Sequence, residues 1–497
     1  MVTLLRRNDQ VATARSSLVV FLCLAMTMQL PGNPAGEVVR FGDVAFERQG
    51  DTLRIIQGSQ SGIINWDSFS IATGETTQFI QPNSLSATLN RVTGQSVSNI
   101  DGRLLANGRV FLLNSNGIVI GRDGSIDVAG FAASTLDVSD NEFLSGGDLN
   151  FRGPSQAAIV NLGSISAFDG DIFLVAATVD NSGSLRAPAG TVGLAAGNEV
   201  LIKESGSERV YVRGANGGRK ENGVINKGTV EANVAELKAH GGNIYGVAVK
   251  NEGRVAATGV TRQGGQIFLS AGGGNVRSTG TLKAKRTDGS GGKIKVDSGA
   301  ESRAEIGGTV DASGGIGRGG EIAILGNEIE VFEGALILND GAITGGTTYI
   351  GGGLRGRDPE FANAEDVTVG NGAIISANSI GSGNGGQVVV FAEDTLHFHG
   401  TLSVRAGTLG NNGGFAELSG KHEVYADDLV RQVLSSAPAG KAGTLLLDPI
   451  DVAVIDGVGG GVSGTSITDG AINSFLSGGS LIINTSGTGG DGDIRLA

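Results

Sequence analysis

Four histidines, His240, His397, His399 and His422, are the residues of this chain best suited to hold a metal or move a proton near neutral pH. His397 and His399 stand two apart, so in a strand both rings share one face, a two-ligand arrangement. Leu396 and Phe398 alternate with them and would point inward, so the pattern favours solvent-facing histidines. Paired carboxylates, as acid–base cleavage of glycosidic bonds requires, occur at Asp169 and Asp171 and at Asp427 and Asp428. Spacing alone does not bring those two pairs together, and solvated charge is the expectation for all four. Gly489-Gly490-Asp491-Gly492-Asp493 is similar to one calcium-binding nonapeptide, but Ile494 stands where the next aspartate belongs and there is a single copy. Cys23 is the only cysteine, and no Gly-x-Ser-x-Gly elbow or phosphate loop occurs. The sequence therefore predicts no catalytic centre, no metal site and no cofactor.

The elements around these residues follow from composition. Of 497 residues 86 are glycine and 8 proline, more than twice the usual glycine share of about 7 %. The glycines lack a three-residue period, which excludes a collagen helix. Aliphatics dominate the apolar 39 %, and charges make up 18 %, so the chain reads as many short strands joined by tight turns. A net charge of −13 disfavours nucleic acid as a partner.

A repeat organises most of the chain. Gly-x-(Val/Leu/Ile) recurs at Gly163, Gly183, Gly228, Gly253, Gly280, Gly308, Gly334, Gly372 and Gly400. The steps are 20, 45, 25, 27, 28, 26, 38 and 28 residues. A second element, Gly-x-(Ile/Val)-x-(Leu/Val), interleaves with it, as at Gly265-Gln266-Ile267-Phe268-Leu269. Two short strands per unit of about 25 residues is a solenoid period. A lone coil buries too few aliphatics to offset about 1–2 kcal/mol of backbone entropy per residue, so coils must stack. Identical connectivity makes neighbouring strands parallel, and a parallel β-helix is the expected architecture. Asn161, Asn181, Asn226 and Asn251 each lie two residues before a repeat glycine and predict a ladder of side-chain amides. The equivalent later positions, Ser278, Ile306, Phe332, Gly370 and Phe398, end it, which suggests a domain boundary near residue 275. Asp428–Ser436 and Asp469–Leu476 are candidate short helices.

The N-terminus has the pattern of an export signal. Arg6, Arg7 and Arg15 precede an apolar run from Leu18 to Leu30 that is too short to span a bilayer as a helix. The organisation expected is a signal peptide at 1–36, a first β-helix domain at 37–275, a repeat stalk at 276–440 and a further repeat region at 441–497. The repeat-like ending at Asp493–Ala497 reads as the front part of a longer protein. Trp66, the only tryptophan, follows Ile63-Ile64 and is expected in a capping core. Asn116-Gly117 is a tight-turn signal, either a hairpin or a coil corner.

Residues 85–140 depart from the repeat and are the most distinctive stretch. They contain Leu89-Asn90-Arg91-Val92-Thr93-Gly94, Asn107-Gly108-Arg109-Val110-Phe111-Leu112, Asn114-Ser115-Asn116-Gly117-Ile118 and Ala133-Ser134-Thr135-Leu136-Asp137. This block resembles the secretion domain of filamentous haemagglutinin-type exoproteins, the adhesins and haemolysins of the two-partner secretion pathway. Ser115 stands where that family has proline, and Gln81-Pro82-Asn83-Ser84-Leu85 is similar to its other short motif. The resemblance implies a right-handed β-helix with an N-terminal cap, export by the Sec machinery and passage through a dedicated outer-membrane transporter. It also implies action at the cell surface or in the medium, most often as an adhesin with a protein or glycan ligand. Asn90, Arg91, Asn114, Ser115, Asn116, Gly117 and Ile118 become the candidate transporter-recognition residues. The alternatives are a β-helical polysaccharide lyase or hydrolase, and the carrier part of a haemolysin or toxin.

Overall fold

The computed structural model describes residues 32–213, 223–240, 247–259, 264–409, 411–485 and 494–496. The basic and apolar N-terminal segment and the Gly489–Asp493 run lie outside the described residues. From residue 31 onward the chain is one compact unit. It is a right-handed parallel β-helix with an N-terminal cap.

One coil shows the plan. Ser164–Ala167 lies on a first face, Ile172–Ala176 on a second and Thr178–Asn181 on a third. Each pairs in parallel with the next coil: Ser164 with Ser184, Ile172 with Val192 and Val179 with Val224. The repeat predicted two strands per unit and the structure has three. The third was missed because it is short and runs straight into the ladder asparagine, so it reads as part of the turn. Stacking continues without interruption across residue 275, where Gln266–Gly272 pairs with Lys293–Asp297.

Alternation along each strand sends every second side chain inward. On the second face Leu112, Ala133, Leu174, Leu194, Leu237, Leu269, Val296, Ile324 and Ile350 align in register as one inward column. All are buried in a single core running the length of the stack. Fully burying such a side chain contributes about 1.5–3 kcal/mol, and only stacked neighbours supply the burial. At the N-terminus, Val44–Gln49 turns back antiparallel on Thr52–Gln57 and Val38–Phe41 on Ser61–Trp66. Trp66 fills this cap, edge-on to Phe46 at 5.7 Å and to Phe69 at 5.6 Å.

The amide ladder forms at the corner between the third and first faces. Asn161 Nδ2 donates to Asn181 Oδ1 at 2.7 Å, Asn181 to Asn226 at 2.7 Å and Asn226 to Asn251 at 2.8 Å. Asn251 then donates to Ser278 Oγ at 3.2 Å. All five are fully buried. Beyond Ser278 the row continues as Ile306, Val331, Val369 and Phe398. Phe332 and Gly370, the positions expected from the glycine spacing, lie one residue past it, because the corners after Val331 and Val369 are longer than the one after Ile306.

Helix is sparse. Leu429–Gln432 is capped by Asp428, and Asp469–Leu476 by Thr468. A helix that the repeat did not announce, Asp140–Ser145, carries a capping box between Ser139 and Glu142.

Candidate functional site

The corner between the second and third faces carries the excursions of the fold. Along the stack the chain turns there tightly, as between Leu113 and Ile118, or makes a long detour, as between Ser134 and Ala158, between Ala196 and Val224 and between Ile350 and Asp366. The first two detours cover the second face beside the candidate block. Leu149–Arg152, Glu199–Ile202 and Val210–Arg213 form a separate antiparallel sheet. It packs with the helix Asp140–Ser145 against outward residues of the second face. Ile63, Leu89, Leu113, Phe143, Phe151, Phe173, Val200 and Val210 make this second core.

Asn90 and Arg91 join the β-helix to that module. Leu89 points outward into the second core, and the next residue, Asn90, points inward. Asn90 is fully buried; its Oδ1 accepts the Trp66 indole N–H at 3.0 Å and its Nδ2 donates to the Phe111 carbonyl at 3.1 Å. Arg91 faces outward again. It binds Asp137 at 3.0 Å, Asp140 at 2.9 Å and the Val138 carbonyl at 2.9 Å, fixing the chain that enters the helix.

Asn114–Ile118 is a coil corner, not a hairpin: Arg109–Leu113 and Ile118–Ile120 both pair in parallel with adjacent coils. Asn114 Oδ1 accepts the Asn116 backbone N–H at 2.9 Å, closing an Asx turn. Its Nδ2 reaches down one coil to the Ser96 carbonyl and Ser98 Oγ, each at 2.9 Å. Asn116 Nδ2 donates to the Gly94 carbonyl at 2.9 Å. Gly117 has φ +116, where a side chain would be strained. From above, Ser155 Oγ donates to the Ser115 carbonyl at 2.7 Å, tying the corner to the returning excursion. Asn114, Gly117 and Ile118 are buried, Asn116 is half-buried and Ser115 is exposed. Asn83 repeats the device, its Oδ1 accepting the backbone N–H of Leu85 and Ser86.

Two clamps hold excursions against the second face, and the sequence reading missed both. Glu236 is fully buried and accepts the backbone N–H groups of Arg209 at 2.8 Å and Val210 at 3.0 Å. Beside it Lys238 pairs with Glu236 at 3.0 Å and with Glu208, and donates to the Val210 carbonyl at 2.7 Å. Farther along, Glu417 is fully buried and accepts the Arg355 backbone N–H at 3.0 Å. Arg355 is the only non-glycine residue with positive φ among those described. Burial pushes the Glu417 carboxyl up to about 7, with nearby Asp448 adding to the rise and the Arg355 N–H opposing it.

The other candidates take structural partners. Asp171 binds Arg209 at 2.8 Å and accepts the Thr191 N–H. Asp427 meets His399 Nδ1 at 2.9 Å, and Asp428 caps its helix. His397 is exposed and stacks on Tyr425 with ring centroids 4.7 Å apart. Leu396 and Phe398 are buried, as the alternation requires. Asp169, His240 and His422 are exposed.

A parallel β-helix whose early coils carry an external sheet-and-helix module, stitched on by Asn90 and Arg91, defines a class of exported β-solenoids. The chain belongs to the TPS secretion domain family, whose model matches residues 33–284. The secretion domain of HMW1 from Haemophilus influenzae superposes with a TM-score of 0.60 at 28 % identity, covering 84 % of this chain and all of that one. Two curated relatives, each a heme/hemopexin-binding protein of Haemophilus influenzae, are 40 % identical over 109 residues and, in strain Rd, 30 % identical over 248. These alignments take in 22 % and 48 % of this chain, and 12 % and 27 % of the relatives' own lengths. The chain is thus a two-partner secretion exoprotein, with the cell surface or medium as destination.

Proposed function

We propose that the chain is the secretion and display portion of a non-enzymatic surface adhesin. It is exported by Sec and then engages its transporter through the Asn90–Arg91 and Asn114–Ile118 segments. The observation that carries this reading is the continuity of the stack: the module-bearing coils run without a break into coils that extend to Thr444–Leu447 and Ser480–Ile483. A rod of this kind holds a binding surface away from the membrane. Three of the four paired carboxylates, Asp171, Asp427 and Asp428, are engaged by Arg209, His399 and a helix cap, which favours a binding role over polysaccharide cleavage.

Most of the motif is buried in the folded coil. Its side chains reach a transporter only while the chain is unfolded, or through Ser115, Asn116 and Arg91 afterwards. Replacing Asn116 and Gly117 together by alanine, in cells carrying the cognate transporter, should leave protein in the periplasm. Ser115→Ala, at the exposed position, separates the two modes of engagement. Loss of export in both variants supports reading of the folded corner, and loss in the double variant alone supports engagement before folding. Normal export of the double variant removes the recognition role. The adhesion ligand is sought by binding the secreted chain to host-cell glycans and proteins, with heme and hemopexin among the probes because the relatives carry those names.

A further inference from the structure

The corner between the first and second faces bears an unusual row of side chains. Ile316, Ile343, Ile380 and Leu409 come from four successive coils and are 76 %, 47 %, 66 % and 79 % exposed. Each lies in a glycine-rich loop whose backbone is bonded to the loop before it. The N–H groups of Ile316, Ile343, Ile380 and Leu409 donate to the carbonyls of Gly289, Gly317, Gly341 and Gly381 at 3.3, 3.1, 2.8 and 3.3 Å. Parallel bridges from Gly314 to Gly341 and from Gly341 to Ser379 keep the loops in step. Ile316 lies across Gly289, where a Cβ would fall 2.1 Å from its Cγ1. The result is a staggered aliphatic ridge about 15 Å long, at roughly 4.8 Å per coil.

The same stack of loops is basic in an acidic protein. Between Lys285 and Gly443 it carries Lys285, Arg286, Arg318, Arg405 and Lys441 against Asp288 and Asp340, while the whole chain has a net charge of −13. The two aspartates are engaged by backbone N–H groups of Ser290 and Asn378. None of the five cations forms an ion pair among the described residues.

We propose that this ridge docks the rod onto an anionic lipid membrane surface, the four aliphatic tips entering the interface and the cations meeting headgroup phosphates. Exposed aliphatic tips from four stacked loops, flanked by cations, match a surface that sets an apolar layer beneath anionic groups, as a lipid bilayer does. A stable second-copy interface needs about 800 Å² per partner, whereas apolar patches of this kind are on the order of 300–600 Å². Insertion plus surface charge is also the two-signal combination that peripheral membrane attachment requires. The proposal goes beyond the adhesin reading and does not depend on which ligand that reading assigns.

The test is co-sedimentation of the secreted chain with vesicles. Vesicles of phosphatidylcholine with roughly one part in four phosphatidylglycerol should bind it, and binding should weaken steeply with salt. Pure phosphatidylcholine vesicles should bind it at least about tenfold more weakly. The quadruple variant Ile316→Ser, Ile343→Ser, Ile380→Ser, Leu409→Ser should lose about tenfold or more on the anionic vesicles. All four sites are exposed, so its circular dichroism should match the parent. Equal binding by parent and variant overturns the proposal, as does equal binding to neutral and anionic vesicles. A concentration-dependent dimer in light scattering that the quadruple variant abolishes reassigns the ridge to a second copy and also overturns it. None of these outcomes touches the export phenotype, so the two readings fail separately.

Discussion

Glu236 and Glu417 stand in the same outward column of the second face, linked in register through Phe268, Lys295, Ala323, Tyr349 and Val389. Each is a buried carboxylate seizing the backbone of an excursion, yet they are balanced differently. Glu236 has the Lys238 ammonium at 3.0 Å and grips two N–H groups. Glu417 holds the N–H of one strained residue, and the closest cation–carboxylate approach in its clamp, Arg355 to Asp448, is 4.0 Å. The first clamp is an ion pair whose carboxylate has its hydrogen bonds filled. The second is a carboxyl that burial drives toward its neutral form. One position on a sheet can thus give an ion-paired fastening or a proton-sensitive one, according to what stands two residues along the strand: Lys238 in one case, Ser419 in the other.

The largest effect should come from breaking the first clamp. Glu236→Ala leaves Lys238 buried beside only Glu208 and frees the Arg209–Val210 backbone. Removing one partner of a buried pair costs about 3–5 kcal/mol. Urea denaturation should show that loss, with amide exchange accelerating first in Glu199–Ile202 and Val210–Arg213.

The second clamp should reveal itself by pH. A carboxyl at about 7 when folded and about 4.5 when unfolded keeps its proton in the fold and releases it on unfolding between those values. Its contribution is complete below about 4.5 and is lost as the pH rises through about 7, an effect of about 3 kcal/mol in all. Glu417→Gln keeps an acceptor for the Arg355 N–H and removes the proton. The parent should therefore gain stability relative to the variant between pH 7.5 and pH 5; a constant difference would mean that Glu417 carries no raised carboxyl in the fold.

A smaller effect belongs to the ladder, the device that the half of the stack containing Glu236 has and the half containing Glu417 lacks. Asn181→Ala strands the Asn161 amide and the Asn226 carbonyl in the core and should cost about 1–3 kcal/mol. The matching change at Val369 removes only methyl groups and leaves no polar group unpaired.

What was legible in the sequence follows the same division. The stack, the ladder through Asn161, Asn181, Asn226 and Asn251, the capping role of Trp66 and the family block were readable because each rests on local spacing. The clamps were not, because Glu236 and Glu417 bond to backbone 27 and 62 residues away. A signal did exist. The two anomalous repeat steps, Gly183 to Gly228 and Gly334 to Gly372, contain the Glu199–Arg213 and 351–365 detours, and Ser139-x-x-Glu142 announces the helix of the first module. Asn116-Gly117 read as a tight turn with hairpin and coil corner both open, and the structure makes it a coil corner; spacing could not show that Asn90 and Asn114 point inward.

The three corners of the coil differ in how much chain they tolerate. At the corner between the second and third faces the chain spends four residues in one coil (114–117) and 23, 27 or 15 in others (135–157, 197–223, 351–365), and each time resumes the third face in register. Closure entropy rises only logarithmically with length, so lengthening such a loop from four residues to 27 costs roughly 2 kcal/mol. At the ladder corner the amides must meet within 3.2 Å of their neighbours, and an inserted residue would part them. For protein engineering the rod therefore has one edge that serves as a port. A foreign peptide grafted in place of 351–365 would be carried outward on a fixed frame, and because neighbouring coils lie about 4.8 Å apart, ports on successive coils would set such cargoes in a row of known pitch.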